Sequence, residues 1–140
     1  MSMQCVMVFI YRFLADKEPV YLLLKRNPQL GAYWQPVTGF VEKNEPLRQA
    51  ALREIEEETG FHHPRKILEI GYRFSFTMED IDVHCDVDVL AVEVEGTRVQ
   101  LSFEHTAYRW LEYHKARKTL HWDNNKKALD LLHRSLQNNA

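Results

Sequence analysis

Two nearly continuous apolar runs, 5–14 and 20–24, open the chain, separated by the polar turn Asp16-Lys17-Glu18-Pro19. Apolar runs of this kind predict two strands joined by a short connection, at least one of them buried on both faces of a sheet. Residues 27–32, punctuated by Pro28 and Gly31, read as a loop, and 34–38 as a short extended segment leading to Gly39. Residues 67–72 and 73–77 read as two further strands. From 81 to 89 the pattern alternates, with Ile81, Val83, Cys85, Val87 and Val89 on one side and Asp82, His84, Asp86 and Asp88 on the other. A period of two predicts a half-buried strand. Gly96-Thr97 predicts a turn, 108–111 a short strand and 112–120 a short helix.

Helical spacing appears in two places. Leu47, Ala51 and Ile55 recur four residues apart with Ala50 beside them, an apolar stripe that packs on a sheet. Asn44 or Glu45 is placed to cap this helix, Pro46 fits its first turn and Gly60 stops it. Over 124–136, Ala128, Leu131, Leu132 and Leu136 form the inward stripe of an amphipathic terminal helix. Strands interleaved with a central and a terminal helix predict an α/β fold with a mixed sheet between helices.

The polar side of the central helix works against its stability. Glu54, Glu57 and Glu58 share one face, and like charges at such spacings cost roughly 0.2–0.5 kcal/mol per pair. They also crowd the last turns, where the helix dipole disfavours anions by about 0.3–1 kcal/mol each. A local conflict of this kind points to a missing partner, and a hard divalent cation held by carboxylate oxygens fits. The competing reading is a solvated acidic face neutralised by Arg48 and Arg53.

Composition narrows the choices. A chain of 140 residues with 45% hydrophobic content suits one domain spanning 1–140 with a single sizeable core. A formal net charge of −2 supplies no broad basic field for nucleic acid, so a polyanionic substrate must be held locally. Cys5 and Cys85 lie in apolar strand-like runs and read as reduced, buried thiols. No apolar stretch approaches the ~18 residues a membrane span needs. The first residues lack a basic segment and a small-residue cleavage site, so a cytoplasmic location is expected.

From Gly39 the sequence runs five residues to Glu45, then seven to Arg53-Glu54-Ile55-Glu56-Glu57-Glu58-Thr59-Gly60-Phe61. This resembles the Nudix box, with every defined position filled, a match expected by chance on the order of 10⁻⁹ per starting point. The resemblance implies an α/β/α sandwich around a mixed central sheet. It also implies hydrolysis of a nucleoside diphosphate linked to another moiety, with Mg2+ or Mn2+. Carried onto this chain, Glu54, Glu57 and Glu58 hold metal, Glu54 also serves as base, and Arg53 orients a glutamate. Gly39 offers its backbone carbonyl to metal, and Glu45 is mainly structural. The flanks Trp34-Gln35-Pro36-Val37-Thr38-Gly39 and Glu104-His105-Thr106-Ala107-Tyr108-Arg109-Trp110-Leu111, with Trp122 and residues 124–129, resemble dihydroneopterin triphosphate pyrophosphohydrolases. The second flank is also similar to asymmetric diadenosine tetraphosphate hydrolases, which usually carry Pro-Lys-Gly where Val37-Thr38-Gly39 stands here.

Outside the box, Glu104 is expected as a further metal ligand or base, completing a catalytic set of Arg53, Glu54, Glu57 and Glu104. His105 contacts phosphate or water, or makes a structural hydrogen bond. Of Lys25 and Arg26, adjacent at a strand end, one should face the substrate's phosphates; Trp34 stacks on a pterin or purine or anchors its loop. Phe74 and Phe76 form a ring platform or pack in the core. Tyr108 and Arg109 are neighbours in a strand and face opposite ways. Asp82, His84, Asp86 and Asp88 are spread at roughly 7 Å intervals, too far for one ion, and read as a solvated or inter-subunit face. The expected activity is Mg2+-dependent hydrolysis of a phosphoanhydride in a nucleoside triphosphate or dihydroneopterin triphosphate, releasing pyrophosphate, by a monomer or homodimer. The alternatives are a diadenosine tetraphosphate hydrolase, an RNA 5′-end pyrophosphohydrolase and a non-catalytic nucleotide-binding module. Degenerate modules tend to lose box glutamates, and none is lost here.

Overall fold

The computed structural model describes residues 2–78 and 81–138. Its elements are β1 (Ser2–Phe13), β2 (Pro19–Arg26), β3 (Trp34–Gln35), β4 (Val37–Phe40), α1 (Leu47–Thr59), β5 (Lys66–Met78), β6 (Val83–Glu93), β7 (His105–Glu112), α2 (Tyr113–Thr119) and α3 (Asp123–Asn138). The strands form one seven-stranded sheet in which β1 and β6 are parallel and every other pair is antiparallel. The mixed sheet between helices is the expected α/β architecture.

β1 lies at the centre and explains its own composition. Met7, Phe9 and Tyr11 enter one core with Tyr21, Leu23, Val87 and Val89 under α2 and α3. Val6, Val8 and Ile10 enter a second core with Leu22, Leu24, Leu90 and Val92 under α1. Alternation across a strand buried on both faces produces an apolar run without a period. Cys5 and Cys85 are both buried free thiols in the first core.

One irregularity creates the site. β7 runs along one edge of β2, so β1 and β3 share the other edge: Ile10 pairs with Leu22, but Leu24 pairs with Gln35. Likewise β6 runs along one edge of β1, and β4 pairs with the other from Cys5 to Val8. The β3–β4 segment is therefore a wedge, turning at Pro36, where β1 and β2 splay apart. Gln35, Val37 and Gly39 follow the faces of Leu24, Val8 and Val6, all of which point toward α1.

Four expectations need correction. The helix begins at Leu47 with Pro46 in the cap position and no side-chain cap, because Glu45 is engaged elsewhere and Asn44 takes a positive φ of 63°. Residues 67–72 and 73–77 belong to one strand, β5, which continues through a register shift at Gly71, a residue at φ 77°. Glycine takes that conformation without steric penalty, so the chain bulges instead of breaking. Ile81 is exposed and precedes β6, since Asp82 at φ 50° turns the chain first. In α3 the buried residues are Asn125, Ala128, Leu129, Leu132 and Leu136, while Leu131 is only half-buried. In the acidic row Asp86 accepts from Ser75 at 2.7 Å, and Asp88, its side chain 16% exposed, pairs with Arg73 at 2.8 Å.

Candidate active site

Docking of α1 decides where its carboxylates go. Ala50, Ala51 and Ile55 are completely buried against the sheet. A helix turns about 100° per residue, so Glu54 and Glu58 come to the flank over the splayed strands, 9% and 4% exposed. Glu57, one residue before Glu58, points outward with 58% of its side chain exposed. Gly60, at φ 81°, closes the helix and donates its N–H to the Glu56 carbonyl at 2.9 Å.

Arg53 organises one half of the site. Its Nε and Nη2 donate to the two oxygens of Glu45 at 2.9 and 3.0 Å, Nη2 also donates to the Phe40 carbonyl at 2.9 Å, and Nη1 donates to Glu54 Oε1 at 2.8 Å. Glu57 lies 3.6 Å from the same guanidinium. The fork from Arg53 and the Glu42 N–H hold the Glu45 carboxyl down to about 2. Gly39 faces Glu54 so closely that a Cβ there would overlap the carboxyl group. The loop from β4 to α1 is thus tied to the helix by one residue, and Glu54 is held between Arg53 and a glycine.

The other half forms where β7 starts. The Glu104 carbonyl accepts the Asn27 N–H at 2.7 Å, and the Glu104 N–H donates to Ser102 Oγ at 3.3 Å. These bonds place the half-buried Glu104 and the buried His105 against Glu58. One ligand atom from each of the three lies within 4.8 Å of the others. Arg26 pairs in register with His105 and is the cation facing both His105 and Glu58. Burial above all, with Glu54 and Glu104 adding negative charge, pushes the Glu58 carboxyl well above the usual carboxylate range. Burial, with the Arg26 charge, brings His105 down to about 4, so its imidazole is neutral at pH 7.

Among the described residues, six buried side-chain atoms lack a hydrogen-bond partner, and five of them are Arg26 Nε, Gln35 Nε2, Glu58 Oε2 and the two ring nitrogens of His105. Each such group costs about 1–3 kcal/mol. A set of carboxylates held together, one with a buried oxygen lacking any partner, suits a hard divalent cation such as Mg2+ or Mn2+.

The structure separates the remaining candidates. Lys25 pairs with Trp34 on the opposite face of the sheet from Arg26, and Trp34 packs against the core under α2 and α3. There the Arg109 guanidinium sits 4.9 Å from the Trp34 ring centre. Tyr108 is exposed, on the other face from Arg109. Phe74 packs partly against the core and stacks on the exposed Phe76 at 6.5 Å. Sequence reasoning missed Gln35 and Asn27. Gln35 carried a usable signal, since it stands two and four residues before Val37 and Gly39 and so shares their face. The bond from Asn27 to Glu104 joins residues far apart in sequence and has no local signal.

Comparison with known proteins identifies the family. The NUDIX domain model matches residues 3–132. An octanoyltransferase of Myxococcus xanthus is 36% identical over 94 residues, 65% of this chain, which spans only 26% of that protein's length. The asymmetrical bis(5′-nucleosyl)-tetraphosphatase of Rattus norvegicus is 30% identical over 118 residues, 83% of this chain and 80% of the relative. Dihydroneopterin triphosphate diphosphatase of Haemophilus influenzae is 28% identical over 137 residues, 90% and 84% of the two chains. A NUDIX structure from Listeria monocytogenes superposes with a TM-score of 0.85 at 27% identity, covering 96% of this chain and 94% of that one. With the box intact on α1 and the family model spanning nearly the whole sequence, the chain belongs to the Nudix hydrolase family.

Proposed function

We propose that this chain is a Mg2+-dependent pyrophosphohydrolase that cleaves a phosphoanhydride in a nucleoside triphosphate or dihydroneopterin triphosphate, releasing pyrophosphate. The observation that carries this reading is the convergence of Glu54, Glu58 and Glu104, with Arg26 beside them, over the splay of β1 and β2.

A divalent cation, when bound, neutralises phosphate charge and lowers the pKa of attacking water. Glu54, Glu57, Glu58 and Glu104, with the Gly39 carbonyl, would share one such ion or more; Mg2+ suits these oxygens and Mn2+ is an acceptable substitute. Arg53 fixes Glu54 in advance, which removes the entropy of arranging that carboxylate during the reaction. Arg26 supplies positive charge for the substrate's phosphates. A general base must lie within hydrogen-bond reach of the attacking water; Glu54, the base that the resemblance implies, is buried and held by Arg53, while the exposed Glu57 and half-buried Glu104 are open to solvent.

The pterin or nucleotide triphosphate reading is supported by the two flanking segments and by the Haemophilus relative. The relationship to the rat enzyme supports a second reading, asymmetric hydrolysis of a dinucleoside tetraphosphate. A substrate panel separates them: dihydroneopterin triphosphate, deoxynucleoside triphosphates, oxidised nucleotides and diadenosine polyphosphates, with products identified by mass. Pyrophosphate plus a monophosphate supports the first reading, and a mononucleotide plus a nucleoside triphosphate supports the second. Failure to cleave any of them with Mg2+ would overturn both. No helix among the described residues is long and apolar enough to cross a membrane.

A further inference from the structure

The two halves of the site offer different donors. Around Gly39 the available groups are oxygens, and Glu54 is already held by Arg53. At the start of β7 the set changes to two carboxylates and an imidazole, from Glu58, Glu104 and His105. An ion bound at about 2.1 Å from each ligand places neighbouring donors roughly 3 Å apart and opposed ones about 4.2 Å apart. Donor atoms that all lie within 4.8 Å of one another approach that spacing without rearrangement of the backbone. His105 Nε2 stands 3.6 Å from Glu58 Oε1, too far for a hydrogen bond and near the separation of two ligands on one ion.

The partnerless atoms point the same way. The His105 side chain has no exposed surface, and neither ring nitrogen has a hydrogen-bond partner. Glu58 Oε2, in a residue only 4% exposed, has none either. One cation would satisfy an imidazole nitrogen and a carboxylate oxygen together, which no residue among the described contacts does.

We propose that Glu58, Glu104 and His105 form a deep subsite with mixed nitrogen and oxygen donors that takes a first-row transition-metal dication. Glu54 and Glu57, both against the Arg53 guanidinium, are left with the Gly39 carbonyl to serve a second, all-oxygen position suited to Mg2+. The inference rests on the reading that the α1 carboxylates hold metal, and it adds the nitrogen ligand and the selectivity that follows from it. Imidazole favours transition metals over Mg2+, which prefers oxygen and keeps its waters.

The test uses the full chain, stripped of metal and titrated with Mn2+. Pulsed electron paramagnetic resonance of the first equivalent is expected to show coupling to a directly bound 14N nucleus. Labelling all histidines with 15N should convert that signal to the 15N pattern. His105→Gln should abolish it, weaken Mn2+ binding tenfold or more, and change Mg2+ affinity less than threefold. Bound Mn2+ without nitrogen coupling, or coupling that persists in His105→Gln, would overturn this subsite and leave the carboxylate reading standing. Absence of both Mn2+ and Mg2+ binding would overturn both. Should His105→Gln fail to fold, the labelled native chain still decides whether histidine nitrogen is a ligand.

Discussion

Gly39→Ala isolates one physical effect. The backbone at Gly39 is not in the left-handed region, so alanine is conformationally acceptable there, and the carbonyl is retained. What changes is space, because the new Cβ overlaps the carboxyl group of Glu54. Pairing of Gly39 with Val6 holds the strand, so the side chain must give way. Overpacking costs about 1–3 kcal/mol in general. The obstacle here is the end of a flexible side chain, which favours the lower end of that range. Displacing it also weakens the 2.8 Å bond from Arg53, a charge-assisted bond worth roughly 1.5–3 kcal/mol. Partial loss of that bond brings the expected destabilisation to about 2 kcal/mol, a fall in Tm of roughly 5–8 °C for a domain of this size. The kinetic effect is larger in proportion. A catalytic group displaced by about 1 Å costs on the order of 100-fold in rate, equivalent to about 2.7 kcal/mol of barrier. Steady-state hydrolysis at saturating Mg2+, paired with thermal unfolding of the metal-free protein, reads both quantities. A variant within threefold of the native kcat/KM, with unchanged Mg2+ dependence, would refute the claim that Gly39 makes room for a working Glu54.

Other perturbations separate stability from function. Glu58→Gln keeps the shape of a buried side chain while removing a carboxyl whose ionised form is disfavoured by burial and by Glu54 and Glu104. Its metal-free Tm should equal or exceed the native value while turnover falls by orders of magnitude; a large loss of Tm would contradict this. Arg53→Lys retains charge but cannot span both Glu45 oxygens, Glu54 and the Phe40 carbonyl at once. Turnover should fall roughly tenfold, or about 1.4 kcal/mol of barrier, and unchanged kinetics would show that Arg53 does not position Glu54. Glu45 titrates at about 2 in the folded chain against 4.5 unperturbed. Its contribution to stability is therefore complete above pH 4.5 and lost as pH falls through about 2. Urea midpoints measured across that window should drop less steeply in Glu45→Gln, and identical slopes would remove Glu45 from the account.

The parts of the fold that were legible in sequence are those set by local patterning. The α1 stripe, its Gly60 stop and the glutamates on its flank all lie within a few helical turns, so one segment displays both packing and chemistry. The apolar runs of β1 and β2 were readable for the same reason, burial on two faces. Long-range pairing set the rest. Whether Gly71 breaks a strand or bulges within it depends on β6 continuing beside it. Leu129 takes a buried place on α3 where Leu131 was expected, because helix rotation relative to the sheet is fixed by packing and not by the stripe alone. The burial of His105 depends on Arg26 meeting it in register and on α1 crossing above, neither visible in the segment around Glu104. The division between Arg26 and Lys25 follows from strand alternation once the core face of β2 is known.

The central claim is that the α1 carboxylates hold the cation that enables phosphoanhydride cleavage. Its most direct measurement is the hydrolysis rate of the preferred substrate of the panel against free Mg2+, for the native chain and for Glu57→Gln at equal folded concentration. The account predicts a saturable Mg2+ requirement, no turnover in chelator, and a loss of orders of magnitude in Glu57→Gln with an unchanged circular dichroism spectrum. Native-like turnover in that variant, or hydrolysis that persists in chelator, would contradict it.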